Sequence, residues 1–276
     1  MSEVLRRILS QPQGVVGSAL LAVLVLAVAF GPWLAPYDPE SFHPSSRLAG
    51  PSEAFWLGTD HFGRDIFSRI LWGARTTVLL SLLATAIGAS AGAAIGVLSG
   101  YVGGWLDELL MRFVDAMMAI PSLLFALLII TVLGPSGVNA VIAIGIAFAP
   151  GIARVARSVT LSVRTSDYVA AAVARGESAG WIMAREVLPN MLAPVIIEAT
   201  IRVAFAIMLL ATLSFLGLGS QPPAPEWGLM ISEARGFMFR SAWTIFWPGL
   251  AIATVAVTFN LLGDALRDAL NPRTGG

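Results

Sequence analysis

Two ionisable residues, Glu198 and Arg202, lie four positions apart in a stretch of the sequence that is otherwise apolar. Residues four apart share one face of a helix, so a carboxylate and a guanidinium at this spacing can form an ion pair. An ionisable group inside an apolar helix usually faces a cavity or a partner, which makes both residues candidates for a functional site. Two interpretations are open: the charges neutralise each other, or Arg202 lines a path and attracts an anionic group.

Other side chains that carry chemistry are scarce. All 17 basic residues are arginines, there is no Cys, and His43 and His61 are the only histidines. Without Lys the sequence cannot contain a P-loop for nucleotide binding, and without Cys it has no thiolate nucleophile or cysteine metal site. Neither histidine has the spaced partner ligands that a metal site needs. We therefore predict no catalytic residue, no metal site and no cofactor bound by this chain.

The composition indicates what surrounds these residues. Of the 276 residues, 57% are hydrophobic and only 12% are charged, and the mean hydropathy is +0.79. A soluble domain carries about a quarter of its residues as charged side chains, so lipid is the expected solvent for much of this chain. The formal net charge of zero gives no reason to expect nucleic acid as a partner.

Charge-free stretches locate the segments that cross the bilayer, because about 20 apolar residues span its hydrocarbon core. Five such stretches occur, and the cluster Gly134-Pro135-Ser136-Gly137 predicts a turn that divides the third into two. Pro121 predicts a kink in the first of these two. The sequence thus predicts an all-α, polytopic membrane helix bundle. Its six transmembrane helices are expected near residues 14–36, 74–99, 106–133, 138–160, 191–216 and 243–264.

The N-terminal segment predicts an anchor helix rather than a secretory signal. Arg6 and Arg7 precede the first apolar stretch, and Ala27-Val28-Ala29 is similar to a cleavage site. However, this stretch has 30 uncharged residues, far more than the apolar core of a signal peptide, which has ~7–15. Six spans leave both termini on one side. Ten arginines lie on that side and six on the other. Because cytoplasmic segments carry an excess of basic residues, this difference favours a cytoplasmic location for both termini.

A stripe of small residues marks the second span. Gly88, Gly92, Gly96 and Gly100 recur every four residues, which lets a neighbouring helix approach closely. The neighbour is expected within the chain, and a partner subunit is the alternative.

The cytoplasmic segment between the fourth and fifth spans is unusually long. Loops in compact domains usually have ~4–6 residues, whereas this segment, residues 161–190, has about thirty. An Ala-rich helix is expected from Tyr168 to Arg175, with Gly176 ending it. A second helix is expected from near Ser178 and should end before Pro189, because the residue before a proline avoids helical geometry. This elbow at the membrane surface predicts that another protein docks there.

On the outer side, residues 38–73 and the segment around Trp227 are expected to be exposed to water. Asp60, Arg64 and Asp65 can pair with neighbouring charges just outside the membrane. The favoured interpretation is that these contacts order the outer loop. The alternative is that they contact an extracellular partner, and the same two interpretations apply to Trp227, which can also anchor at the membrane interface.

The cytoplasmic elbow resembles a known family. Ala170-Ala171-Ala172, Gly176 and Val187-Leu188-Pro189 are spaced as in the Glu-Ala-Ala loop of the membrane subunits of bacterial ABC importers. In that family the loop holds a short coupling helix that docks on the ATPase subunit. The sequence departs from the pattern at Ala170, where the family usually has Glu.

Four further segments are similar to the dipeptide, oligopeptide and nickel permease family of these importers. Residues 56–75 resemble the segment that precedes the second span in that family. The last third resembles it at Leu213 to Gly219, Pro222 to Gly228 and Phe259 to Asp268. The resemblance covers nearly the whole chain, in order, and is to the dipeptide permease C type.

This resemblance implies a non-catalytic permease subunit of the bacterial cytoplasmic (inner) membrane. It implies an N-terminal anchor and extracytoplasmic segment at residues 1–73, and at residues 74–276 a five-helix importer core with the coupling loop. The implied partners are a second, homologous permease, two ATPase subunits that bind ATP and Mg, an extracytoplasmic substrate-binding protein and the lipid bilayer. The implied ATPase contacts on the coupling loop are Tyr168, Ala170, Ala171, Ala172, Gly176, Glu177, Ser178, Leu188 and Pro189.

The resemblance also implies di- or oligopeptides as the transported substrate, with Glu198 and Arg202 as candidates for the translocation path. Nickel complexes, glutathione, opines or haem are alternatives, because importers of this type carry them as well. A more distant alternative is a secondary transporter driven by an ion gradient. Such a protein needs intramembrane carboxylates along an ion path. Glu198 is the one candidate, because the other carboxylates of the predicted spans are expected at the inner membrane interface.

Overall fold

The computed structural model describes residues 2–270. The predicted end of the second domain, at residue 276, lies outside the described residues. The described residues form helices, with a long outer segment at residues 35–65 between the first and second candidate spans. They contain no strand, only one isolated bridge between Thr59 and Asp65. The helices are α1 (Ser2–Leu9), α2 (Pro12–Leu34), α3 (Ile66–Val102), α4 (Gly104–Met118), α5 (Ser122–Leu133), α6 (Gly137–Arg164), α7 (Asp167–Ala174), α8 (Ala179–Ile182), α9 (Leu188–Phe215), α10 (Trp227–Ala234) and α11 (Trp243–Leu270).

Five helical segments are long and apolar enough to cross a membrane: α2, α3, α6, the continuous run Ala179–Phe215 that ends with α9, and α11. A sixth span exists if α4 and α5 are counted as one. These two helices meet at 93°, so the expected kink at Pro121 is a complete break. The physical reason is that a proline removes a helical hydrogen bond and keeps the preceding residue out of helical geometry. The all-α helix bundle is confirmed, with five candidate spans, or six if the bent pair of α4 and α5 forms one span.

Helix α3 begins eight residues earlier than expected and has 37 residues. The Asp65 side chain caps it, because its Oδ2 accepts a hydrogen bond from the Ser68 backbone N–H at 2.8 Å. The predicted outer segment therefore ends in helix, and the predicted domain boundary after Gly73 lies inside α3.

The glycine stripe of α3 packs against α6 within the chain. A Cβ built on Gly92 would lie 2.5 Å from the Ala149 carbonyl oxygen, and one on Gly96 would lie 2.5 Å from that of Ala153. Only glycine allows the two backbones to approach this closely. The predicted turn between the third and fourth spans is also present, since α6 begins at Gly137 and Ser136 caps it.

The anchor helix α2 packs in the bundle with α3 and α11. Leu24 belongs to a buried cluster with Ala74, Val78 and Val255. Arg7 Nη1 donates to the Ala269 carbonyl oxygen at 3.5 Å, so the two ends of the described chain lie at the same end of the bundle.

The elbow differs from expectation at its second helix. Ser178 caps α8 as predicted, but the helix does not end before Pro189. Instead a π-helical turn, Met183–Val187, connects α8 directly to α9, and the Leu188 N–H bonds to the Met183 carbonyl. Pro189 is thus the second residue of α9, in the first turn, where a helix tolerates a proline.

Candidate functional site

Helix α9 brings Glu198 and Arg202 together one turn apart, as their spacing predicts. Arg202 Nε donates to Glu198 Oε1 at 2.9 Å, and Nη2 lies 2.8 Å from the same oxygen. The Glu198 side chain is 24% exposed and that of Arg202 is 21% exposed. The pair is thus partly buried, and its role in a translocation path stays a prediction.

Helix α6 supports the Arg202 guanidinium from the opposite side. The Cζ atom of Arg202 lies 5.3 Å from the centroid of the Phe148 ring, a distance at which a cation is attracted by the ring face. A Cβ on Gly151 would lie 2.3 Å from Nη2, so the guanidinium occupies the space that the missing side chain leaves. Arg202 also lines a cavity of about 190 Å³ at the bend between α4 and α5, which we call the Arg202 cavity.

Two ion pairs join α4 to α6. Arg157 forms a bidentate ion pair with Asp107, in which Nε and Nη2 each donate to a carboxylate oxygen at 2.6 Å. Arg154 Nη2 donates to Asp115 Oδ1 at 2.6 Å. The sequence shows these charges at the starts and ends of apolar segments, but it does not show which carboxylate meets which arginine. The pairs hold the amphipathic α4 against α6.

The elbow, residues 167–189, has one buried face. Val169, Ala172, Ile182 and Val187 pack with Val97 and Ile152 in one apolar cluster. Movement of this face is therefore linked to α3, α6 and α9. Gly176 has φ +79° and open space around it, so it forms the left-handed end of α7 that its residue type predicts.

Most of the other predicted coupling residues are on the free face of the elbow. Tyr168 is 42% exposed and Leu188 39%. Ala170, Ala171, Gly176, Ser178 and Pro189 are exposed, Glu177 is half-buried, and Ala172 is buried. Val173 and Trp181, which the prediction omitted, add apolar surface at 57% and 38% exposure. Eight of the nine predicted contacts are thus at least partly accessible to a partner.

On the outer side four charges form a buried cluster that we call the outer charge network: Asp60, Arg64, Arg69 and Glu233. Arg64 donates from Nε to Asp60 at 2.6 Å and from Nη2 to Glu233 at 2.7 Å. Arg69 lies 3.3 Å from Glu233 and 4.0 Å from Asp60. Both arginines are no more than 2% exposed. The network ties the segment before α3 to α10, 169 residues later for Arg64 and Glu233.

The structure places the predicted outer residues inside the protein. Asp60 is 9% exposed, Arg64 2% and Asp65 1%. Trp227, at 2%, packs in the buried cluster of Leu24, and its Nε1 donates to the Ile70 carbonyl at 3.1 Å. This burial favours the role of ordering the outer loop, because direct contact with a partner requires exposed atoms.

Sequence reasoning missed Glu226, a fully buried carboxylate at the start of α10. Its two oxygens accept hydrogen bonds from the N–H groups of Gly228 and Leu229 at 2.8 and 3.0 Å. Burial raises the pKa of Glu226, while these bonds and the hydroxyls of Ser214 and Thr77 act in the opposite direction. An acidic residue just before Trp-Gly, at the start of a short helix, is the signal that could have identified this cap.

Family models match two parts of the chain. Residues 92–276 match the family described as the binding-protein-dependent transport system inner membrane component. Residues 1–51 match the N-terminal transmembrane domain of oligopeptide transport permease C.

Curated relatives cover nearly the whole chain. A dipeptide transport system permease protein of Alkalihalophilus pseudofirmus is 42% identical over 98% of this chain and 89% of its own. A probable D,D-dipeptide transport system permease protein of Escherichia coli K12 is 41% identical over 96% and 89%. A glutathione transport system permease protein of E. coli O6:K15:H31 is 42% identical over 94% and 86%.

A solved structure supports the fold. A chain of the methionine ABC transporter MetNI, in an inward-facing conformation, superposes with a TM-score of 0.59, covering 74% of this chain and 97% of that chain at 18% identity. The long apolar helices, the family matches and the similar relatives all indicate a multi-pass permease. The chain belongs to the family of inner membrane components of binding-protein-dependent transport systems, as a multi-pass permease of the ABC importer type.

Proposed function

We propose that this chain forms half of the translocation pathway of an ATP-driven importer for di- and oligopeptides. Relatives at 41–42% identity are named as dipeptide permeases, which favours peptides over nickel complexes, opines or haem. Glutathione is the second candidate, because another relative at 42% identity is named as its permease. Glutathione is itself a short peptide acid, so both candidates belong to one chemical class. An ion-gradient-driven transporter is not supported by the family match.

The observation that carries this proposal is the two-faced elbow. Its buried face belongs to the cluster that joins α3, α6 and α9, while its free face presents Tyr168, Val173 and Trp181. Such a segment can transmit movement of a docked protein to the membrane helices. We infer that each of two ATPase subunits, which hold ATP and Mg, docks on the elbow of one permease. The chain itself performs no catalysis in this scheme and binds no cofactor.

The proposal includes an orientation and a second permease. Both termini lie on the cytoplasmic side, as the positive-inside bias favours, and Arg7 and Ala269 meet at one end of the bundle. A homologous permease completes the pathway. An extracytoplasmic binding protein delivers the substrate to the outer surface, where Trp56 and Phe239 are 60% and 97% exposed. The proposed division at residue 73 falls within α3, so one continuous helix joins the anchor and outer segment to the core.

The test is a charge on the free face of the elbow. Ala171→Asp places a carboxylate at an exposed position of α7, so it leaves the buried face intact and disturbs only docking. In proteoliposomes that contain the complete transporter and its binding protein, we expect peptide uptake to fall by about tenfold or more, as for a loss of ~1.4 kcal/mol in docking. Stimulation of ATP hydrolysis by the loaded binding protein should fall with it.

The matched control is Ser162→Asp, the same charge at an exposed position near the end of α6. This variant should transport at the wild-type rate. Normal uptake and normal stimulation of ATP hydrolysis in Ala171→Asp would show that the elbow does not couple the two activities. A wild-type transporter that imports no short peptide would overturn the substrate assignment.

A further inference from the structure

The Arg202 guanidinium is fixed in position but only partly used. Glu198, Phe148 and Gly151 hold it from three sides. A guanidinium carries five N–H donors. Within the described residues its only hydrogen-bond and ion-pair partner is one oxygen of Glu198, which Nε and Nη2 share. The remaining donors are therefore free to bind an anion that reaches the guanidinium.

The Arg202 cavity gives an anion room to do so. Its volume is about 190 Å³, and Met117, Met118, Ile120 and Phe125 form apolar parts of its wall. Thioether and aromatic side chains accommodate apolar groups of different shapes. The cavity thus combines one fixed cation with an adaptable apolar lining.

The bend between α4 and α5 adds polarity to the same cavity. Helix α5 begins at Ser122, a lining residue, and no side chain caps this helix end. Its first N–H groups have no partner inside the helix and carry partial positive charge. The Arg202 side chain and the start of α5 therefore favour the same sign of ligand charge.

We propose that the Arg202 cavity binds the C-terminal carboxylate of a short peptide during its passage through the protein. This inference rests on the proposed function and names the group by which the permease itself recognises its substrate. The peptide carboxylate binds the free donors of Arg202 and competes with Glu198, while the neighbouring side chain contacts the methionines and Phe125.

Competition with Glu198 also explains how binding stays weak enough for transport. An arginine without a partner would hold a carboxylate strongly in surroundings of low dielectric constant. Here the substrate must replace an existing ion pair, so the net gain in free energy is small. Glu198 takes the guanidinium back when the substrate leaves, and the cavity returns to its starting state.

The experiment compares uptake of a free peptide acid with uptake of its amide. Ala-Ala and Ala-Ala amide are supplied separately to proteoliposomes with the complete transporter and its binding protein. The binding protein also discriminates between them, but it is the same in every sample. A change in the acid-to-amide uptake ratio between permease variants therefore reports on the permease alone. Asp-Ala amide, which has only a side-chain carboxylate, distinguishes recognition of the terminus from recognition of any carboxylate.

Four variants separate charge, position and pairing. Arg202→Met should lower the acid-to-amide ratio by about tenfold, the range for loss of one charged hydrogen-bond partner, and Arg202→Lys should lower it less. The double exchange Glu198→Arg with Arg202→Glu keeps the ion pair but moves the cation one turn, so its ratio should fall as in Arg202→Met. Glu198→Gln should raise the ratio, because the competing carboxylate is gone.

The control is Arg154→Met. Arg154 is also an ion-paired arginine and lies three residues from Gly151, but it does not line the cavity. The uptake ratio of this variant should equal that of the wild type. The amount of folded, assembled transporter is measured for every variant. An unchanged ratio in folded Arg202→Met would overturn the carboxylate site and leave the importer proposal intact. A wild-type transporter that imports neither peptide would overturn both. If Asp-Ala amide behaves as Ala-Ala does, recognition of the terminus is wrong and recognition of any carboxylate replaces it.

Discussion

The outer charge network and the Glu198–Arg202 pair use the same chemistry, arginine against carboxylate, in different surroundings. In the outer charge network each arginine approaches both carboxylates, and neither arginine is more than 2% exposed. The cavity beside the network measures about 10 Å³, room for a single water molecule at most. Arg202 has one carboxylate partner, is about a fifth exposed and faces a cavity of about 190 Å³.

This difference teaches how to separate structural from functional charges in a membrane protein that has few of them. A closed set of buried charges joins distant segments, and it is costly to break because the remaining charges stay buried. A pair with free donors beside a large cavity contributes little to stability and is available to a ligand. The comparison predicts different effects of equal substitutions in the two regions.

The largest expected difference comes from the substitution of arginine by methionine. Arg64→Met leaves Asp60 and Glu233 buried with Arg69 as their remaining partner, so we expect a loss of about 3–5 kcal/mol in the free energy of unfolding. Arg202→Met removes one partly exposed pair and should cost less than about 2 kcal/mol. The measurement is thermal unfolding of the purified protein in detergent, together with the amount recovered from the membrane.

The control for this prediction is Arg47→Met. Arg47 is exposed and donates to the His61 carbonyl at 2.7 Å, so its loss should lower the unfolding temperature only slightly. Equal losses for Arg64→Met and Arg202→Met would contradict the distinction between the two regions.

A smaller difference is expected when a methyl group is added to a glycine in each region. Gly63 has φ +81°, and a Cβ there would lie 2.1 Å from the His43 carbonyl oxygen. Backbone atoms cannot move aside, so Gly63→Ala should cost about 1–3 kcal/mol. At Gly151 the atom in the way is Arg202 Nη2, the end of a flexible side chain. Gly151→Ala should therefore change stability by less than about 1 kcal/mol.

The two alanine variants should also differ in transport. Gly151→Ala displaces the guanidinium and should lower the acid-to-amide uptake ratio in the same direction as Arg202→Met. Folded Gly63→Ala protein should keep the wild-type ratio. A wild-type ratio in Gly151→Ala would show that the exact position of the guanidinium is unimportant.

Local patterns in the sequence predicted much of this molecule. Charge-free stretches located the spans, and Gly176 and Ser178 marked the end of α7 and the start of α8 because their conformations depend on neighbouring residues alone. The spacing of Glu198 and Arg202 predicted their ion pair for the same reason.

Features that depend on distant residues were not predicted. The pairing of Arg64 with Glu233 requires the full tertiary arrangement, since 169 residues separate them. The angle at Pro121 and the π-helical turn before Pro189 depend on what packs around each proline, which one sequence does not show. Asp60 and Asp65 have the residue type of surface positions, and Trp227 has that of an anchor at the membrane interface. Only the fold shows that all three are buried.

The last expected effect depends on pH and concerns Glu226, a carboxylate of the outer half that has no arginine partner within residues 2–270. Because burial raises its pKa in the folded protein, the folded state binds more protons than the unfolded state at pH values above the usual Glu pKa. Stability should therefore fall as the pH rises from about 4.5, the ordinary pKa of this carboxyl, through the raised pKa, by up to ~1.4 kcal/mol per pH unit. Glu226→Gln removes this contribution, although loss of a cap acceptor lowers its stability at every pH. The measurement is the unfolding temperature of both proteins across this pH range. Equal pH slopes would mean that the hydrogen bonds to Glu226 balance the effect of burial, so that its pKa is the same in the folded and unfolded states.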